Sequence, residues 1–253
     1  MRRIALLPLI VIPGLTVGTA LWGLLAQLSN PAEAWKALAP VAGDAETTLL
    51  VGFLCGCSLA MLGLMAAFAF RLCLPHSRPL VALACLALAV PAVVSGIGLI
   101  LLRNASFPEA LSTGILPLLL ANLFVQLPLV ILFALGMTGG WTHAETETTA
   151  ILEIPVWMVM SRLAPPVFLP AIPLLFLLGF ALAAREVPAS ILNYSAESGT
   201  LALTIETMLH FEQPNALSAL CLLQLALVAS VILGSLFLWR WLQRSFPWPT
   251  SGA

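Results

Sequence analysis

The chain has 253 residues, of which 61% are hydrophobic and only 8% charged, and its mean hydropathy is +1.07. A soluble domain typically carries about 25% charged residues, so a soluble chain this apolar would lack the polar groups needed to cover its surface. The formal net charge of −1 gives no indication of a nucleic-acid partner. The composition therefore predicts an integral membrane protein without a water-soluble globular domain.

Six stretches are long and apolar enough to cross a bilayer, whose hydrocarbon core of about 30 Å requires about 20 residues of helix. They cover residues 4–28, 48–70, 80–102, 114–137, 167–184 and 216–239. Arg2 and Arg3 precede the first stretch as in a signal peptide, but its length exceeds the apolar region of a signal sequence. We expect a retained first helix and an all-α, polytopic fold of about six transmembrane helices, forming one domain over residues 1–253.

The distribution of lysine and arginine predicts that both termini lie in the cytoplasm, because basic residues concentrate in cytoplasmic connections. In this orientation seven basic residues lie inside and only three, Lys36, Arg103 and Arg185, lie outside. The outside connection after the fifth helix contains an apolar stretch, residues 201–211, that is too short to span. We expect this stretch to be either interfacial or re-entrant.

The longest inside connection, residues 139–166, reads GGWTHAETETTAILEIPVWMVMSRLAPP, and we call it the elbow. Thr142 and Glu145 have the spacing of a capping box, which predicts the start of a helix. That helix would hold Glu145 and Glu147, whose charges are favourable near its N-terminus, and would extend towards Glu153.

Pro155 disfavours continuation of this first helix, so a second short helix is expected over residues 156–163. Two short amphipathic helices of this kind either lie in the lipid headgroup layer or dock in a groove of a cytoplasmic partner. A helix on the membrane surface would carry basic residues to meet anionic lipid, whereas the polar face here is acidic. The acidic face favours a protein partner.

The elbow resembles the cytoplasmic signature of the permease subunits of binding-protein-dependent ABC importers, which has the pattern E-A-A-x3-G-x9-I-x-L-P. With Glu147 on the motif Glu, the motif Gly is replaced by Glu153. The motif Ala, Ala, Ile, Leu and Pro fall, in that order, on Thr148, Thr149, Leu163, Pro165 and Pro166.

Two further segments resemble the iron(III), thiamine, polyamine and molybdate branches of the same family. In FALAAREVPASIL, residues 180–192, Glu186 takes the acidic position of an acidic-Phe-Gly-Ala-Ser motif, and Ala189 and Ser190 match it directly. TLALTIETML, residues 200–209, is similar to the Thr-Leu-Pro-x-x-Ile-Tyr segment that follows in those branches. The resemblance covers about residues 48–244 and is best in the second half.

The resemblance implies a type I importer fold in the bacterial inner membrane. It implies a second permease chain, identical or homologous, and a periplasmic or lipid-anchored substrate-binding protein that delivers a small solute such as ferric iron, a thiamine-like compound, a polyamine or an oxyanion. The elbow would be the coupling helix that binds cytoplasmic ATP-binding subunits. The residues expected to take part in that coupling are Glu145, Glu147, Thr148, Thr149, Glu153, Pro155, Trp157, Arg162, Leu163 and Pro166.

The chain itself is not expected to be an enzyme. A P-loop requires G-x4-G-K-[ST], and the one lysine, Lys36, lies in an outside connection. ATP and Mg²⁺ are therefore expected in the partner ATPase, and no cofactor in this chain. His76, His143 and His210 lie in three different segments, so we expect neither a metal site nor a catalytic site.

Polar residues in or beside the apolar helices are the candidates for a solute path. Arg185 and Glu186, with Ser190 shortly after them, either form a gate or include an interfacial ion pair that extends outward. Asn122 and Gln126 share one helix face because they are four residues apart. They either line the path or hydrogen-bond a neighbouring helix.

Two alternative functions remain open at this point. An ion-coupled secondary transporter often carries acidic residues or histidines within its helices, whereas five of the six predicted helical cores here contain no charge. A membrane subunit without transport activity is the other alternative.

Overall fold

The computed structural model describes residues 2–28, 30–72, 77–106, 114–139, 142–159, 171–195, 198–211 and 214–245. Within these ranges the chain is all-helical and contains no β-strand, which confirms the predicted class. The helices are α1 (Arg2–Gln27), α2 (Pro31–Leu38), α3 (Ala42–Arg71), α4 (Ser77–Ala87), α5 (Ala92–Ser106), α6 (Leu116–Met137), α7 (His143–Ile151), α8 (Val156–Met158), α9 (Ile172–Ala184), α10 (Ser190–Asn193), α11 (Leu201–Leu209) and α12 (Pro214–Ser245).

Three segments of the described chain are long and apolar enough to cross a membrane, and they are Ala39–Arg71, Leu116–Met137 and Pro214–Phe237. The bent pair α4–α5 is a fourth candidate if it counts as one span. α1 is a helix of 26 residues over the first predicted stretch, and α9 is apolar over 13 residues. The described residues thus fit a helical membrane protein with three or four candidate spans, and the prediction of six spans is not confirmed by them.

The third predicted span, residues 80–102, is not one continuous helix. It is divided into α4 and α5, whose axes are bent by 108°. Pro91 has no backbone N–H to continue the helix and restricts the residue before it. The amides of Ala89 and Val90 donate to Leu86 and Ala87, three residues back, so the chain turns tightly before α5 begins.

The centre of the molecule is the crossing of α3 with α9, and α6 packs against both. A Cβ atom added to Gly179 of α9 would lie 3.1 Å from the Cα atom of Gly56 on α3. A Cβ atom on Gly56 would lie 2.9 Å from the carbonyl oxygen of Phe176. Small residues allow helix backbones to approach this closely in membrane proteins. The surrounding core includes the fully buried Leu59, Leu118 and Leu175.

Candidate functional site

The elbow begins with the capping box that the sequence predicts. The Glu145 amide donates to Thr142 Oγ1 at 3.3 Å, and the Thr142 amide donates in return to the Glu145 carboxylate. These two bonds satisfy amide groups that have no partner within a helix. The structure therefore confirms a helix start at this position, and Glu145 and Glu147 lie in α7.

α7 extends towards Glu153 and ends at Ile151, two residues before it. Glu153 has φ +49°, the one positive φ at a non-glycine residue in the described part of the chain. The Ile154 amide donates to the Thr149 carbonyl at 3.0 Å, and the Glu153 amide donates to the Ala150 carbonyl at 3.1 Å. This pair of bonds is a Schellman motif, in which glycine usually occupies the left-handed position.

Pro155 then directs the chain into the single turn α8, for which it is the N-terminal flanking residue with ψ 140°. The described part of the predicted second helix thus starts at the expected place. Arg162, Leu163 and Pro166, three of the predicted coupling residues, lie outside the described residues. Thr148 and Thr149 bond only within their own helix in the hydrogen bonds seen, to the carbonyls of Ala144 and Thr146.

The elbow has an inward and an outward apolar side. Val159 is buried in the main core, and Ile154 packs against the same core. Four large apolar side chains are exposed by 46–79%, and we call them the elbow patch: Ile151, Leu152, Val156 and Trp157. Ile151 and Leu152 lie at the end of α7, and Val156 and Trp157 lie in α8. The left-handed turn at Glu153 therefore sets the orientation of one pair relative to the other.

Two residues that the sequence did not single out connect the elbow to the bundle. Thr146 of α7 donates its hydroxyl to the carbonyl of Arg71, the last residue of α3, at 2.8 Å. The Arg71 guanidinium donates through Nη2 to the Leu135 carbonyl near the end of α6 at 2.6 Å. Because these partners are 75 and 64 positions apart, no local pattern in the sequence indicates either contact.

Asn122, Gln126 and Ser190 meet in a buried polar junction. Gln126 Nε2 donates to Asn122 Oδ1 at 3.0 Å, and Asn122 Nδ2 donates to Ser190 Oγ of α10 at 3.1 Å. Asn193 of α10 donates to the carbonyl of Gly96 on α5 at 3.3 Å. The junction therefore bonds α10 to both α5 and α6. Asn122 bonds a neighbouring helix, as one of the two alternatives predicted, whereas Gln126 bonds Asn122 of its own helix.

Two buried acceptors of this junction, Gln126 Oε1 and Asn193 Oδ1, have no hydrogen-bond partner among the described residues. Buried amide oxygens normally accept at least one hydrogen bond. The junction is thus polar and incompletely satisfied by the residues that the structure describes.

Arg185 and Glu186 follow the end of α9 and do not have the same environment. Arg185 is exposed as the residue that flanks the helix end. Glu186 is half-buried, and its carboxylate accepts the amide of Ala189 at 3.0 Å, just before α10 begins. Glu186 therefore organises the turn that positions Ser190 in the polar junction.

A second contact that the sequence did not indicate holds α11 against the start of α3. Thr48 Oγ1 accepts the amide of Leu201 at 2.9 Å, and Asp44 accepts the hydroxyl of Thr204 at 2.6 Å. The first amide of α11 is consequently capped by Thr48 of α3 and not by Thr200, the residue that precedes the helix. This contact ties the apolar stretch predicted at residues 201–211 to the bundle.

Comparison with known proteins adds no family assignment. No protein-family model matches the sequence, and no curated protein is similar to it.

Proposed function

We propose that this chain is the transmembrane permease subunit of an ATP-driven importer, which forms the solute path and couples it to a separate cytoplasmic ATPase. The observation that carries the proposal is the elbow patch. Ile151, Leu152, Val156 and Trp157 are exposed on a connection that begins with a capping box, turns at Glu153 and is hydrogen-bonded to the end of α3. The elbow thus exposes apolar side chains that a partner could bury, on backbone that its own hydrogen bonds hold in place.

The composition of the elbow supports a protein partner over lipid. Glu145 and Glu147 are exposed beside the patch, and anionic lipid headgroups would repel them. Exposed Trp and large aliphatic side chains with a polar rim are typical of binding hot spots, where a buried Trp dominates the affinity. The elbow thus fits a cleft of a cytoplasmic subunit.

The left-handed turn supports the resemblance to importer permeases. The signature of that family has Gly at the position occupied here by Glu153, and Glu153 has the positive φ that favours glycine. Glu153, which stands in place of the motif glycine, therefore has the backbone conformation for which glycine is suited.

The proposed topology has six spans with both termini and the elbow in the cytoplasm of a bacterium. It counts the three candidate spans, the bent pair α4–α5 as one, and α1 and α9 as the remaining two. An even number of spans returns the chain to the side on which it began. Two such chains would enclose the solute path, and a substrate-binding protein would dock on the outer connections.

The neutral polar junction supports an external energy source. Asn122, Gln126, Ser190 and Asn193 supply amide and hydroxyl groups, none of which exchanges a proton near neutral pH. A proton-coupled transporter would need an ionisable group at such a position. In the proposal, ATP hydrolysis in a partner subunit supplies the driving force.

The proposal is tested by purifying the tagged chain from native membranes and identifying the ATPase that accompanies it. We expect Trp157→Ala to weaken this association by about 2 kcal/mol or more, the cost of losing a hot-spot side chain. Trp22→Ala is the matched control, because Trp22 of α1 is similarly exposed, by 76%, but lies far from the elbow in sequence.

Solute uptake gives an independent readout of the same proposal. Glu147→Lys reverses a charge on the exposed face of α7 and should abolish uptake without removing the chain from the membrane. The importer proposal fails if no P-loop ATPase accompanies the chain and Glu147→Lys leaves uptake unchanged.

A further inference from the structure

We infer that Arg71 and Thr146 form a clasp that transmits movement of the elbow to α3 and α6, and that both are positioning residues for coupling. The inference rests on the proposed function, because a clasp of this kind has a role only if a partner moves the elbow. It assigns that role to residues outside the family signature and outside the elbow patch.

The first half of the clasp is the hydroxyl group of Thr146. Thr148 and Thr149 direct their hydroxyls to carbonyls of α7 itself. Thr146 Oγ1 lies 2.8 Å from the Arg71 carbonyl, closer than the 3.4 Å that separates it from the Thr142 carbonyl. That carbonyl belongs to the last turn of α3, where backbone oxygens have no donor within the helix. Thr146 is half-buried between the exposed Glu145 and Glu147, so α7 meets α3 through this residue and presents its acids outward.

The second half is the guanidinium group of Arg71. It donates to the Leu135 carbonyl at 2.6 Å. Leu135 lies in the last turn of α6, which ends at Met137. Its positive charge lies at the C-terminal ends of both α3 and α6, where the helix dipoles favour a cation.

The clasp joins the elbow to the helix at the centre of the bundle. α6 is continuous with the elbow along the chain, whereas Arg71 of α3 and Thr146 of the elbow are 75 positions apart. α3 is also the helix against which both α6 and α9 pack. Thr146 and the end of α3 therefore give α7 a hydrogen-bonded connection to the helix that forms the α3–α9 crossing, beside the apolar contacts of Ile154 and Val159 with the main core.

The experiment measures solute transported per ATP hydrolysed by the complex of the full chain with its co-purified ATPase in proteoliposomes. Thr146→Val removes the hydroxyl at nearly constant shape, and Thr146→Ser restores it. Arg71→Lys retains the charge but not the planar group that reaches Leu135. Thr47→Val on α3 is the control, because the Thr47 hydroxyl bonds the Gly43 carbonyl of its own helix.

We expect Thr146→Val to lower the transport per ATP by about fivefold, the factor that corresponds to one lost intramolecular hydrogen bond. ATPase association should be unchanged, Thr146→Ser and Thr47→Val should behave as wild type, and Arg71→Lys should show a partial loss. A merely structural role predicts a different result, in which hydrolysis and transport fall together and their ratio is constant.

The two proposals fail in distinguishable ways. A wild-type chain that brings down no ATPase overturns the proposed function, and the clasp's role in coupling with it. A wild-type complex that transports, but whose ratio is unchanged by both Thr146→Val and Arg71→Lys, overturns the clasp and leaves the importer function standing.

Discussion

At the scale of single residues, Glu153 sets the shape of the elbow. Its left-handed backbone ends α7, and the amides of Glu153 and Ile154 satisfy carbonyl groups of the last turn. A residue with a Cβ atom is strained in this conformation by roughly 1–2 kcal/mol, whereas glycine is not. Glu153 is therefore tolerated at the position where the elbow patch changes direction, whereas glycine would be better suited to it.

We predict that Glu153→Gly slows amide hydrogen exchange at the end of α7, because it removes the strain of the left-handed conformation and keeps the two backbone hydrogen bonds. Amide hydrogen exchange of residues 148–154 in the purified chain should slow by a factor corresponding to about 1 kcal/mol. Glu153→Val should accelerate it, since a β-branched residue is least compatible with positive φ. Faster exchange in Glu153→Gly than in wild type would show that the turn has another conformation.

Local sequence patterns predict part of the site and miss the rest for a physical reason. Thr142 and Glu145 are three positions apart, so the capping box depends only on neighbouring backbone and is visible in the sequence. The bonds of Thr146 to Arg71 and of Asn122 to Ser190 join residues 75 and 68 positions apart. They depend on how helices pack, which neither spacing nor hydropathy specifies.

At the scale of helices, close approach at glycine organises the bundle. α3 and α9 cross where Gly56 faces Gly179, and on the same face of α3 a Cβ atom on Gly63 would lie 3.0 Å from Val130 of α6. Glycine lowers helix propensity in water, but small residues allow the helix–helix contact that drives association in a membrane. The α3–α9 crossing therefore depends on the absence of a Cβ atom at Gly56 and Gly179.

We predict that Gly56→Ala destabilises the chain by about 1–3 kcal/mol, the usual cost of overpacking a core. Its Cβ atom would meet the backbone oxygen of Phe176 at 2.9 Å, and a backbone atom cannot rotate away as a side chain can. The control is Gly234→Ala on α12, where a Cβ atom meets nothing within 4 Å. Unfolding midpoints in a mixed-detergent titration measure both, and equal midpoints for the two variants would contradict the close crossing.

Helix existence was predictable from hydropathy, but helix direction was not. The stretch 80–102 is apolar throughout, so a window average treats it as one span, and Pro91 marks only a position where a bend is permitted. The structure divides it into α4 and α5 with a 108° bend. The bend is a property of the packed backbone, since Gly96 of α5 lies against Ala189 and its carbonyl accepts a hydrogen bond from Asn193 Nδ2 of α10.

At the scale of the whole molecule, two separate sets of contacts tie distant parts of the chain to α3. At its C-terminal end, Arg71 joins α6 and α7. At its N-terminal end, Asp44 and Thr48 hold the first turn of α11. α3 thus connects the elbow at one end of the bundle with the 201–211 stretch at the other. The proposed importer requires such a helix, because it would link the cytoplasmic ATPase to the outer docking surface.

The most direct test of the central claim is a crosslinking measurement on the elbow patch. A photoreactive amino acid replaces Trp157 in the full chain, and a second chain carries it in place of Trp22 as a control; both are irradiated in native membranes. The account predicts that position 157 crosslinks to a polypeptide that carries a P-loop, and that position 22 does not. Crosslinks from position 157 to lipid alone would contradict it.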